Sequence, residues 1–150
     1  MSHRETAVPL FVDTNALVAA FNEDDEHHEA ADTVLELLGR GDLPYGPLFT
    51  SRYVLSETAT TMLVGIGHRE AVEALQTVLE SDSFNILTVD GDIFERTVAQ
   101  FEQYDDQTIS FIDHMNGVLA AEYGIEHVFT FDSDFATLGL TRVPVDTHDI

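Results

Sequence analysis

Cysteine, lysine and tryptophan are all absent from this 150-residue chain, and its six basic residues are all arginine. Without cysteine there is no disulfide framework, no thiolate metal site and no cysteine nucleophile. No apolar run approaches the roughly 20 residues that a bilayer-crossing helix needs. The opening MSHRETAVPL also lacks the apolar stretch of a secretory signal. These absences lead us to expect a soluble, cytoplasmic protein.

What is present is acid. Asp and Glu number 28, for a formal net charge of -22. Such a charge suits a disordered chain only when apolar content is low, and here it is 44% and evenly spread. Many of the acids, such as Glu23, Asp24, Asp25, Glu26 and Glu29, sit where a helix surface is expected. A surface this acidic repels itself in dilute buffer. At about 1 M salt the Debye length falls to roughly 3 Å and the repulsion is screened. The composition therefore points to a salt-accumulating, halophilic source, and the charge reports on the solvent rather than on a ligand.

The length suits one domain, read as residues 1–150 with a tail at 1–7 and another at 146–150. Val8 to Val12 is a short apolar run, expected as a buried strand. Asp13, Thr14 and Asn15 follow, and a helix is expected from Ala16 to Phe21. Amphipathic patterns predict further helices over 27–40, 68–81 and 90–104. Ser51 can cap a helix running to about Ile66, and another is expected over 110–123 with Gly124 at its C-terminal end. Strands are expected at 48–50, 84–89 and 127–131, with an edge strand at 142–145. Strands alternating with helices imply an α/β fold with a mainly parallel sheet.

Acids recur at chemically suggestive places. Asp13 and Asp132 directly follow expected strands, and ligand sites of parallel sheets lie outside the carboxyl ends of strands. An N-cap is the simpler role for Asp13. Glu57 is the only charged residue between Tyr53 and Gly67. Leu55, Ala59, Met62, Leu63 and Ile66 form one apolar face of that helix, and the face around Glu57 is also uncharged. The helix is expected to be covered on most sides, with Glu57 on a narrow wet strip or buried with a partner. Asp113 could complete a capping box begun by Ser110, but its helical neighbours Asn116, Gly117 and Ala120 favour close packing. Asp134 reads as the cap of a short helix over 135–138. Brought together, these acids would repel unless a cation neutralised them. Carboxylate oxygens select hard ions, Mg²⁺ or Mn²⁺ rather than zinc.

The strings FVDTNALVAAF (11–21), LSETAT (55–60), ISFIDHM (109–115) and FTFDSDF (129–135), in this order and spacing, resemble the PIN-domain family, and within it the VapC-type toxin ribonucleases. The resemblance implies a small three-layer α/β/α sandwich. It implies an acidic quartet carried by Asp13, Glu57, Asp113 and Asp132, which binds one or two Mg²⁺ or Mn²⁺ ions and hydrolyses RNA. Asp13 and Asp113 are the first choice for direct ligands. Asn15, Ser110 and Thr130 match supporting polar positions. His114 and Asp134 depart from the usual pattern, and Asp134 could add a metal ligand. A homodimer and a cognate antitoxin protein are implied partners, with no membrane. A housekeeping PIN nuclease in RNA processing, or an inactive PIN scaffold, is the alternative. Arg52 and Arg69 flank the Glu57 helix and are candidate RNA contacts. A haloacid-dehalogenase-type phosphatase or a phospho-receiver would want a lysine, and neither explains Glu57.

Overall fold

The computed structural model describes residues 7–147; the ends of both expected tails, with His3, Arg4 and His148, lie outside them. Five strands form one parallel sheet: β1 (Val8–Val12), β2 (Tyr45–Ser51), β3 (Phe84–Leu87), β4 (His127–Thr130) and β5 (Thr141–Pro144). Their spatial order is β3-β2-β1-β4-β5. The helices are α1 (Thr14–Phe21), α2 (His28–Arg40), α3 (Arg52–Gly65), α4 (His68–Glu80), α5 (Gly91–Gln103), α6 (Phe111–Glu122) and the short α7 (Asp134–Thr137). The chain moves outward from β1 to β3, then crosses back to β4 and β5. Right-handed crossovers therefore place α1 to α4 over one face and α5 to α7 over the other. That is a three-layer α/β/α sandwich.

β1 lies at the centre, and Leu10, Phe11 and Val12 have no solvent exposure. This is why it reads as a continuous apolar run rather than as an alternation. Val128 and Phe129 of β4, Ala16 and Ala19 of α1 and Leu119 of α6 close around it.

Two strands depart from expectation by more than one residue at an end. β2 is longer than 48–50, extending back through Gly46 and Pro47. Val8 pairs with Tyr45 but Leu10 with Leu48, so one extra residue of β2 is absorbed as a bulge. A bulge tolerates the missing N–H of proline. A Cβ at Gly46 would sit 2.6 Å from that of Ala7, so only glycine permits this approach. β3 is shorter than 84–89, because β2 ends at Ser51 opposite Leu87 and leaves Thr88 and Val89 no strand residue to pair with.

The α3 expectation needs correction. Val54, Leu55, Thr58 and Met62 are its buried stripe, while Leu63 and Ile66 are exposed and Ala59 is only half-buried. The helix is covered on one side, not most. Phe49 of β2 packs against the core. At the chain's end, Asp146 accepts three bonds from Arg142, from its backbone N–H and from its guanidinium.

Candidate active site

The sheet reverses its winding between β1 and β4, and a crevice opens at such a switch point. Asp13 leaves the end of β1 and Asp132 lies just past the end of β4. Val12 pairs with Phe129, so Asp13 comes level with Thr130. Asp13 holds the N-cap position of α1, yet its side chain makes no cap bond. It turns inward instead. Thr130 Oγ1 lies 3.0 Å from Asp13 Oδ2, and Asn116 Nδ2 donates to Asp13 Oδ1 at 3.3 Å.

Asn15 fastens the start of α1 to the end of β4. Its Oδ1 accepts from the Phe131 N–H at 3.1 Å and lies 3.0 Å from the Thr130 hydroxyl. That hydroxyl has one proton for two acceptors, Asp13 and Asn15, while it accepts from the Asp132 N–H. His27 stacks on Phe131 with ring centroids 4.3 Å apart, tying the loop before α2 to the same place.

Asp113 arrives from α6. Ser110 caps this helix, its Oγ accepting from the Asp113 N–H at 3.2 Å. The Asp113 carboxylate gathers with those of Asp132 and Asp134, and one oxygen from each lies within 4.8 Å of the others. The expected cap role of Asp134 is overturned. It belongs to the first turn of α7, and Asp132 Oδ1 accepts its N–H at 2.9 Å in an Asx turn. Glu57 comes from α3, half-buried on the opposite wall.

A cavity of about 360 Å³ joins all of these acids but Asp134, and is lined by Asp13, Thr14, Asn15, Val18, Asp25, Glu57, Thr61, Ser110, Asp113 and Asp132. No arginine is among these lining residues. Two residues escaped sequence reasoning. Asp25 falls among the surface acids in the sequence, but the turn between α1 and α2 brings it to the cavity wall. Asn116 belongs in the sequence to a small-residue face, yet its amide is buried against Asp13. Nothing in their local patterns distinguishes them.

The electrostatics follow from this crowding. Burial pushes the Asp13 carboxyl up to about 6, with Glu57 and Asp132 adding to it and Thr130 opposing. Burial, then the charges of Asp13 and Asp132, push Asp113 up to about 8. Burial and Asp132 also raise Asp134. His114 adjoins Asp113 in sequence but points elsewhere. It is buried against α5, with Nδ1 2.8 Å from Gln100 Nε2 and edge contacts to Phe101 and Tyr104. Burial holds its imidazole below the ordinary value.

A hard divalent cation fits this donor set. The carboxylates converge without a balancing cationic side chain, and the buried Asn116 Oδ1 and Thr14 Oγ1 have no hydrogen-bond partner.

Residues 10–139 match the PIN domain family. The chain belongs to that family. It is 31% identical over 134 residues to the 23S rRNA-specific endonuclease VapC20 of Mycobacterium tuberculosis, covering 89% of this chain and 97% of that one. The crystal structure of that VapC20, described as a Sarcin-Ricin loop cleaving toxin, superposes with a TM-score of 0.78 at 30% identity, over 87% of this chain and 95% of its own. VapBC2 from Rickettsia felis, solved with a DNA fragment from its promoter, gives 0.66 at 17% identity over 90% of this chain and 97% of that one. VapBC-1 from nontypeable Haemophilus influenzae gives 0.60 at 16%, over 90% and 96%. These last two speak to the PIN fold alone.

Arg52 and Arg69 do not line the acidic cavity. Arg69 lies 3.4 Å from Glu70 on the surface of α4. Arg52 opens α3 beside a different cavity. No helix among the described residues is long and apolar enough to cross a membrane.

Proposed function

We propose that this PIN-domain protein is a divalent-metal-dependent ribonuclease and the toxin of a type II toxin–antitoxin pair. One observation carries the reading: five carboxylates, those of Asp13, Asp25, Glu57, Asp113 and Asp132, converge from separate parts of the chain on one cavity with no cationic side chain in its lining. The reaction is hydrolysis of an RNA phosphodiester to 5′-phosphate and 3′-hydroxyl ends, with no covalent enzyme intermediate. The relative at 31% identity acts on 23S rRNA by its name, which makes ribosomal RNA the first substrate to assay.

Asp13, Glu57, Asp113 and Asp132 are the proposed ligands, with Asp134 placed to add a fifth oxygen. One or two Mg²⁺ or Mn²⁺ ions held there supply positive charge for the phosphoryl transition state and acidify a bound water. The chain's own residues prepare the site. Thr130 and Asn116 aim the two Asp13 oxygens. Ser110 fixes the first turn of α6 and so the direction of Asp113. The fixed crowding of carboxylates keeps the cavity selective for a small, hard cation.

Asp13→Asn and Asp113→Asn should each abolish Mg²⁺- or Mn²⁺-dependent RNA cleavage while circular dichroism remains unchanged. Wild-type cleavage by either variant sinks the quartet. Asp134→Asn should retain cleavage with weaker metal affinity, read by Mn²⁺ titration.

The partners follow the same reading. A small antitoxin protein presenting an arginine or lysine to the carboxylates would replace the metal's charge. The exposed Leu63, Val64 and Ile66 at the end of α3 give an apolar surface for a homodimer.

A further inference from the structure

We propose that a second cavity, walled by Arg52 and Tyr53, holds one nucleotide of single-stranded RNA next to the bond being cleaved. The Arg52 guanidinium takes its phosphate and the Tyr53 ring takes its base. This rests on the ribonuclease reading and names where the substrate strand runs.

The cavity has a volume of about 300 Å³ and is lined by Arg52, Tyr53, Leu87, Thr88 and Val89. It lies at the carboxyl end of β2 and β3, where Ser51 pairs with Leu87. That is the same edge of the sheet that carries the acids. Phe11 pairs with Phe49, so Asp13 comes level with Ser51 on the neighbouring strand. With strands about 4.8 Å apart, this cavity begins within roughly 5 to 10 Å of the Asp13 backbone. On α3, Tyr53 precedes Glu57 by four residues. The two share one helix face and are about 6 Å apart along the axis. The strip Tyr53, Glu57, Thr61 thus runs from this cavity directly into the acidic one.

Charge singles out Arg52. Arg40 meets Glu36 and Asp42, Arg69 meets Glu70, Arg96 meets Asp92 and Glu122, and Arg142 meets Asp146. Among the described residues, Arg52 is the arginine with no carboxylate partner, in a chain of net charge -22. An unpaired guanidinium on so acidic a surface suits an anion from outside. The neighbouring Tyr53 is 45% exposed, and an exposed aromatic ring stacks on a base of any identity. A base can reach it only when unpaired and splayed out, which selects single-stranded or loop RNA.

The test is steady-state cleavage of a short fluorescein-labelled single-stranded RNA of mixed sequence, at several KCl concentrations and saturating Mn²⁺. Arg52→Gln should raise KM on the order of tenfold with kcat within about twofold, and should lower the salt dependence of kcat/KM by about 0.7 in log–log slope, one phosphate contact. Tyr53→Ala should raise KM similarly through lost stacking, with the slope unchanged. Tyr53→Phe should behave as wild type. A Mn²⁺-induced rise in melting temperature, kept in each variant, shows that the fold and the acidic site are intact. Wild-type KM in both Arg52→Gln and Tyr53→Ala overturns the inference while leaving the ribonuclease reading in place. So does unchanged cleavage with loss of binding to a co-expressed protein partner, which assigns the cavity to that partner. No cleavage by the wild-type chain removes both readings.

Discussion

At Asp113, fold stability opposes the metal-ligand role proposed for it. Its carboxyl sits at about 8 in the folded chain against an ordinary 3.8. Between those values the folded state holds a proton that the unfolded state releases. The group's contribution to stability therefore falls as pH rises through that window, by about 1.4 kcal/mol per pH unit at most. Without divalent ions, Asp113→Asn should melt higher than wild type at pH 8 and close to it at pH 4. Adding Mg²⁺ should reverse the order at pH 8. A variant that is less stable than the metal-free wild type at pH 8 would show that Asp113 is not under this repulsion. Thr130 acts in the other direction, since its hydroxyl lowers Asp13. Thr130→Val should move the acid limb of the cleavage pH profile upward, with rates at pH 6 reduced severalfold and those at pH 8 little changed. A profile identical to wild type counts against that contact.

At the scale of elements, the two helices that carry Glu57 and Asp113 are positioned by serine caps. Ser51 Oγ accepts from the Val54 N–H at 3.2 Å at the start of α3, and Ser110 does the same for Asp113 on α6. Losing such a cap costs about 1 kcal/mol. For a chain of this length that is a fall of roughly 2 to 4 °C in melting temperature. Ser51→Ala and Ser110→Ala should therefore melt alike. Only Ser110→Ala should also lower cleavage markedly, because the lost bond ends on the backbone of a proposed ligand. Equal activity in the two would show that cap and ligand are independent. The α3 helix also shows how an element's pattern can mislead. An uncharged sequence looks covered, but half of its apolar side chains stay on the surface.

At the scale of the whole molecule, the charge governs behaviour. Melting temperature should rise steeply with KCl toward molar concentrations as repulsion is screened. A flat response would argue against a chain adapted to salt. At fixed high ionic strength, Mg²⁺ or Mn²⁺ should add a further, saturable rise, reaching about 2.7 kcal/mol at a hundred times Kd. Indifference to both ions under those conditions would describe a metal-free scaffold.

The alternation of apolar runs and amphipathic stretches was enough to determine an α/β fold with a parallel sheet, because strand and helix periods are local properties. The carboxylates of Asp13 and Asp132 were legible for a similar reason: each directly follows the apolar run that places it. Asn116, Asp25 and the open side of α3 were not legible. Burial depends on what packs across from a residue, and those neighbours are a hundred positions away for Asn116 and Asp13. The same holds for Asp134, whose carboxylate meets that of Asp113, carried on α6 about twenty residues earlier. Only the tertiary structure decided which acids share a cavity and which arginine is left unpaired, since both depend on distances through space that spacing along the chain does not encode.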